Sequence, residues 1–305
     1  MSAAEHHSKE QSVQVKSVVV PILMTTLAYF LYSLGDAGSK ELLKSLYFMQ
    51  VMLVSGAVSV VLMVIYGSWK DGKKMFRTNK PKLMILRAVL GQLSGICILL
   101  ALKHISLTVF YTLIFTSPFW VALLSILFLK EKPDRRRIGV ILFGFAVVLY
   151  IFRPGSGLFN IWSLVVLVGA VFYAMQLLVI RRIGASESRA LIVLYGSVMR
   201  ILIAVPFMGN HYLPLTGQDW LIFGVIGLTG CVGLMFISYA FQEAASPAVV
   251  APCQYTQIIW GALLGYCFFH DVPGVETLAV AALLILSGLY LIRHERRRPV
   301  LKVGA

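Results

Sequence analysis

The sequence predicts an all-α integral membrane protein of ten transmembrane helices, set as two inverted five-helix halves around a central cavity. Three observations carry that expectation. The chain holds more apolar residues than a soluble globule could bury, its apolar runs have bilayer-spanning length, and one stretch of sequence returns 140 residues after its first appearance.

Of 305 residues, 59% are hydrophobic and 13% charged, with a mean hydropathy of +0.84. A soluble domain averages roughly 45–50% apolar and about 25% charged. The surplus apolar surface must face something other than water. The net charge of +14 and pI near 9.8 do not point to nucleic acid, because the basic residues come in short bursts between apolar runs. Cys97, Cys231, Cys253 and Cys267 all lie within apolar runs without metal-ligand spacing, and read as small packing residues.

A bilayer-crossing helix needs about 20 mainly apolar residues. The runs that meet this measure are 18–38, 46–66, 83–103, 108–129, 138–153, 161–180, 190–208, 220–241, 248–269 and 274–292. The connections are too short to hide a soluble domain. The first seventeen residues are polar, and no small-residue cleavage motif follows the first run, so no removable signal peptide is expected. Residues 1–17 then form a cytoplasmic tail, 18–153 and 161–292 two five-span units, and 293–305 a basic cytoplasmic tail.

Lysine and arginine set the orientation. With the N-terminus inside, the cytoplasmic segments hold Lys9, Lys16, the bursts in 67–82, 130–137 and 181–190, and the basic tail. The opposite loops hold only Lys40, Lys44, Lys103 and Arg153. By the positive-inside rule both termini are cytoplasmic.

The repeat pairs "PFWVALLSILFLKEKP" (118–133) with "IIWGALLGYCFFHDVP" (258–273), so that Trp120, Phe128, Glu131 and Pro133 return as Trp260, Phe268, Asp271 and Pro273. At the same offset "LYIFR" (149–153) returns as "LYLIR" (289–293). Five spans separate equivalents, and five is odd, so equivalent spans cross in opposite senses. Inverted repeats place a solute site at the interface of the halves, and exchange of their two conformations gives alternating access. A duplicated scaffold without transport is the other reading. Gly91 and Gly95, like Gly261 and Gly265, share a helix face and suit close helix packing.

Enzyme readings lack their motifs. There is no His-Glu-x-x-His, no phosphate-cradling glycine loop and no metal-ligand cluster, and the histidines at 6, 7, 104, 211, 270 and 294 fall in tails, loops or span ends. No metal or other cofactor is expected. Oligomeric state is open, a homodimer included.

The stretch 86–155 resembles the first EamA-type repeat of the drug/metabolite transporter superfamily, through Arg87, Gly91, Ala101-Leu102, Pro118, Leu129, Glu131, Gly144 and Pro154. Residues 239–273 resemble the second repeat through Tyr239-Ala240, Ala251-Pro252, Tyr255, Gly261, Gly265 and Pro273. The resemblance implies a bacterial inner-membrane carrier whose cavity is lined mainly by spans 1, 3, 4, 6, 8 and 9. "GDAGSK" (35–40) is most like the members that handle S-adenosylmethionine or riboflavin, so a small polar metabolite of that kind is the expected solute. Export of amino acids or drugs is the alternative. Many relatives carry an Arg in span two near Ser55, and this chain does not.

Charges inside the membrane need explaining. A carboxylate in hydrocarbon costs about 2.5–3.5 kcal/mol, so Asp36 should face a wet interior, there to hold a cationic group or a proton; an ion pair with Lys40 one turn on is the other reading. Arg200, near the middle of span seven, could bind a carboxylate bidentately or serve packing. Arg87 reads as snorkelling from the cytoplasmic end of span three. The spans implied to line the cavity contribute Tyr29 and Tyr32; Gln92 and Ser94; Tyr111, Thr112, Phe115 and Thr116; Tyr173 and Gln176; Ser238 and Tyr239; Gln254, Tyr255 and Gln257. Amides prefer an interior partner, and rings beside amides suit a planar or zwitterionic solute. The expected solute site is Asp36, Tyr32, Gln92, Phe115, Tyr173, Gln176, Tyr255, Gln257 and Arg200. Trp120 and Trp260 read as gate residues or as packing against lipid.

Overall fold

A computed structural model of the chain describes residues 3–70, 72, 77–114, 116–129, 160–185, 187–209, 211–244 and 247–270, with isolated positions within 138–146 and 275–286. The expected spans five and ten lie largely outside the described residues, as do Glu131, Asp271 and the loop 130–137. The described elements are all helical: α1 (Ala3–Leu42), α2 (Phe48–Lys70), α3 (Pro81–Leu102), α4 (Leu107–Ile114), α5 (Ser117–Leu129), α6 (Ile161–Ile183), α7 (Arg189–Met208), α8 (Gly217–Glu243), α9 (Pro247–Val250), a 3₁₀ turn (Ala251–Thr256) and α10 (Gln257–Phe269).

Six of these helices are long and apolar enough to cross a bilayer: Val19–Leu42 of α1, then α2, α3, α6, α7 and α8. Helices satisfy their own backbone groups, which is what hydrocarbon demands. Leu23, Ile65, Leu202, Leu221 and Leu228 stand out from the bundle, as they should where the surrounding solvent is lipid. The protein is an all-helical, multi-pass membrane protein. The polar segment 1–17, read as a tail, continues α1 without interruption from Ala3; residues 3–18 hold no Pro or Gly and are rich in good helix formers.

Local sequence sets the helix ends. Pro81 opens α3, where a missing N–H costs nothing. Asn160 accepts from the Ser163 backbone N–H at 2.9 Å and starts α6, which stops at Gly184 with φ 78°. Thr216 and Asp219 form a reciprocal capping box before α8.

The fourth and ninth spans, expected to be continuous, are broken. α4 ends at Ile114 and α5 begins at Ser117, while the chain from Pro247 passes through the 3₁₀ turn before α10 begins at Gln257. The two restarts, Ser117 and Gln257, differ by the repeat offset of 140. Proline accompanies both breaks: Pro118 and Pro252 lack the backbone N–H that a continuing helix would use. Freed backbone groups are tolerated at membrane depth only where protein or water satisfies them. Gln254 supplies this from the opposite half, accepting from the Ser117 hydroxyl and donating to the Ile114 carbonyl at 3.5 Å.

Packing repeats with the same symmetry. α1 packs on α8 and α6 on α3; α2 packs on α7; α2 touches α8 as α7 touches α3; α10 and the 3₁₀ turn lie on α1 as α4 and α5 lie on α6. Exchanging each first-half helix for its second-half counterpart leaves this pattern unchanged. The described helices of the two halves therefore meet in equivalent pairs, and the cavity lies between them.

Candidate solute-binding cavity

A cavity of about 210 Å3 opens between α1, α2, α3, α6, α7 and α8, with Gln254 and Gln257 from the second break closing one wall. Asp36, Arg87 and Arg200 are the charged side chains among its described lining residues.

Asp36 sits on the stretch of α1 that turns Tyr32, Gly35 and Ser39 to the same space. Its Oδ2 accepts from the Tyr111 hydroxyl at 3.1 Å. Tyr111 is held from behind by Gly261, the third position after Ile258: a Cβ there would collide with the Tyr111 ring. Lys40 is directed elsewhere, donating to the Ile105 carbonyl at 3.2 Å with its ammonium over the Phe269 ring. Among the described residues Asp36 has no cation within ion-pair distance, so the interfacial pair with Lys40 does not form.

Arg200 projects from α7 into the cavity. Its Nε donates to Gln92 Oε1 at 3.2 Å and its Nη1 to the Ser55 hydroxyl at 3.3 Å. α2 and α7 come close enough for this because position 56 is glycine, facing Ile201, Arg200 and the Ser197 carbonyl. The expectation that span seven stands beside the cavity is thereby corrected: Val193, Gly196, Ser197 and Arg200 line it, and Val51, Met52, Ser55 and Ser59 of span two do as well. The cation absent at Ser55 arrives from the equivalent helix of the other half and bonds to Ser55 itself.

Arg87 does not snorkel. It is 4% exposed, two turns into α3 from Pro81, and donates through Nη1 to the Ile192 carbonyl at 3.0 Å and through Nη2 to Gln176 Oε1 at 3.2 Å. Gly91 and Gly196 leave the room for its fork and for Gln176, so the glycine spacing on α3 serves polar groups as well as backbone approach. Gln92 completes the wall by donating to the Gly196 carbonyl at 2.9 Å, and Ser94 donates to the Gly169 carbonyl at 3.0 Å. Tyr173 reaches Tyr29 hydroxyl to hydroxyl at 3.4 Å.

Of the residues expected from sequence, Tyr32, Asp36, Gln92, Tyr173, Gln176, Gln257 and Arg200 line the cavity together. Tyr255 does not. It is 5% exposed and packed in the apolar core with Phe110, Tyr111 and Leu264, because the 3₁₀ turn changes the phase in which successive side chains leave the backbone. Phe115 lies outside the described residues. Ser238 is buried away from the cavity, and Tyr239 lies under the Arg189 guanidinium at 4.7 Å. Trp120 packs between the two core clusters and Trp260 meets Phe30 edge-on at 4.8 Å, so neither repeated tryptophan faces the cavity. Sequence reading missed Arg87, Ser55, Ser59, Ser197 and Thr229 as lining residues. The signal for Arg87 was its count from Pro81.

A helical membrane protein whose halves enclose an oppositely charged cavity belongs to the class of solute carriers. Its sequence matches the profile of the EamA-like transporter family twice, over residues 19–153 and 160–293, and the chain belongs to that family. It is 30% identical to the pseudopaline exporter CntI of Pseudomonas aeruginosa over 277 residues, which is 90% of this chain and 96% of that protein. It is 24% identical to an S-adenosylmethionine uptake transporter of Rickettsia felis, over 90% of this chain and 94% of that one. A crystal structure of another protein superposes with a TM-score of 0.66 at 16% identity, covering 93% of this chain and 98% of that one; a likeness at that identity concerns the fold alone. The protein is a membrane transporter of a small molecule.

Proposed function

We propose that the protein is a secondary carrier that exports a small amino-acid-derived zwitterion across a bacterial inner membrane. Two inverted five-helix repeats, ten helices with those of 138–153 and 274–292, alternate their access to a shared cavity. The observation that carries this reading is the meeting of Asp36 with Arg87 and Arg200 around one cavity. A carboxylate with no cation of its own suits a solute ammonium, and guanidinium forks suit a solute carboxylate. The broken fourth and ninth spans supply the irregular backbone that carriers use around a midplane site. Export is favoured by the name of the relative at 30% identity. No nucleotide-binding motif is present in the sequence, so the gradient of an ion or of a counter-solute would drive it.

A second reading is uptake of S-adenosylmethionine, the solute named for the relatives at 24% identity. Asp36 beside Tyr32 and Tyr173 would hold its cationic end. Purified protein in liposomes, screened with S-adenosylmethionine, riboflavin and amino acids of each charge type at two pH values, separates the two. The export reading expects flux of zwitterionic or anionic amino-acid derivatives. Flux of S-adenosylmethionine alone selects the second reading, and flux of no solute sinks both.

A further inference from the structure

We infer that Arg87 and Arg200 form two separate carboxylate seats, so that the cavity takes an amine bearing at least two carboxylates. This deepens the carrier reading and rests on it.

Charge balance gives the first argument. Two guanidiniums and one carboxylate leave the described wall with an excess positive charge. A solute with one ammonium and one carboxylate would answer Asp36 and one arginine, and leave the other uncompensated. A buried charge without a counter-charge is costly, so the second arginine is left uncompensated unless a second anion arrives. A net-cationic solute would add a repulsive contact at the same place.

The second argument is the way each fork is held. Both arginines are fixed by neutral acceptors: Gln176 and the Ile192 carbonyl for Arg87, Gln92 and Ser55 for Arg200. Neither is paired with an acid among the described residues. Hydrogen bonds of this kind aim a guanidinium without neutralising it, which is the arrangement an anion receptor needs. Arg200 commits Nε and Nη1 and keeps Nη2 for a solute, whereas Arg87 has its Nε enclosed by protein and would meet a carboxylate through the Nη groups it shares with Ile192 and Gln176. Arg189 on the bundle's end, by contrast, is paired with the Glu243 carboxylate at 3.0 Å.

The seats are distinct because their supports are. Arg87 ties α3 to α6 and α7, whereas Arg200 ties α7 to α2 and α3. Asp36 reaches the same cavity from α1, braced by Tyr111. The amine end would lie toward α1 and the two acidic arms toward α3 and α7.

The test compares matched probes, N-methylglycine and iminodiacetate, which share a secondary amine and differ by one carboxylate. Calorimetry on purified protein in lipid nanodiscs reads each affinity. Iminodiacetate should bind at least about tenfold more tightly, and Arg87→Gln and Arg200→Gln should each bring the ratio below about threefold, since a lost charged partner costs a kcal/mol or more. Arg200→Lys should keep part of the ratio, because it retains charge without the fork. The wild-type ratio stands without any variant, so a misfolded mutant cannot mask the result. Equal affinity of the two probes, binding of neither, or an undiminished ratio in both folded glutamine variants overturns the two-seat assignment. Solute flux in the liposome screen would still uphold the carrier reading in those cases.

Discussion

Tyr111 of the first broken span donates to Asp36 on α1 while its ring rests against Gly261 of the second broken span. One tyrosine thus joins the acid of the cavity to both halves of the chain. The position of the Asp36 carboxylate then depends on a contact that only a glycine permits.

Asp36→Asn should lower transport at least about tenfold without lowering the amount of folded protein, because an amide keeps the Tyr111 contact and loses the charge for the solute. Initial rates in liposomes and size-exclusion profiles check this. Wild-type rates would make Asp36 a spectator.

Gly261→Ala places a methyl into the Tyr111 ring. Overpacking of this kind costs about 1–3 kcal/mol. The variant should melt lower in detergent and transport more slowly. Tyr111→Ala removes a fully buried ring and should itself melt lower. Adding Gly261→Ala to it should cost little more, because the ring that the methyl would strike is gone. Neither of these Tyr111 variants should transport normally, since Asp36 then lacks its donor.

Gln254→Leu leaves the Ser117 hydroxyl and the Ile114 carbonyl without their cross-half partner at a break in the helix. An unsatisfied buried polar group costs about 1–3 kcal/mol, which thermal unfolding in detergent would register.

Ser55 and Arg200 bond directly, across equivalent helices of the two halves. Arg200→Ser should reduce flux by more than about tenfold, the scale of losing one charge-assisted bond. The exchanged pair Ser55→Arg with Arg200→Ser should restore a substantial part of it, because the guanidinium returns to the same wall from the other side. Failure of the exchange, with the protein folded, would show that the direction of approach matters as much as the charge.

The membrane class was legible in composition, and six of the expected spans appear as uninterrupted helices because long apolar runs allow the backbone no other solution in lipid. Asp36, Gln92, Gln176 and Gln257 were legible as interior residues for a related reason: polar groups on apolar helices must turn away from hydrocarbon. Tyr255 stands apart from the cavity because residues 251–256 tighten to a 3₁₀ turn, which membership of an apolar span does not announce. Arg87 was misjudged because its depth depends on where α3 starts, and Pro81 sets that start. The entry of α2 and α7 into the cavity depends on Gly56 and its neighbours across the helix pair, a three-dimensional closeness that no spacing along the chain announces.

The account turns on the cavity being open in turn to each side of the membrane. A variant with Cys97, Cys231, Cys253 and Cys267 replaced and Ser197→Cys introduced into the cavity wall puts this to a direct measurement. A membrane-impermeant maleimide should label Cys-substituted position 197 from either face of oriented vesicles, and a transported solute should slow both reactions. Labelling from one face alone under every solute condition, or from neither, would contradict alternating access.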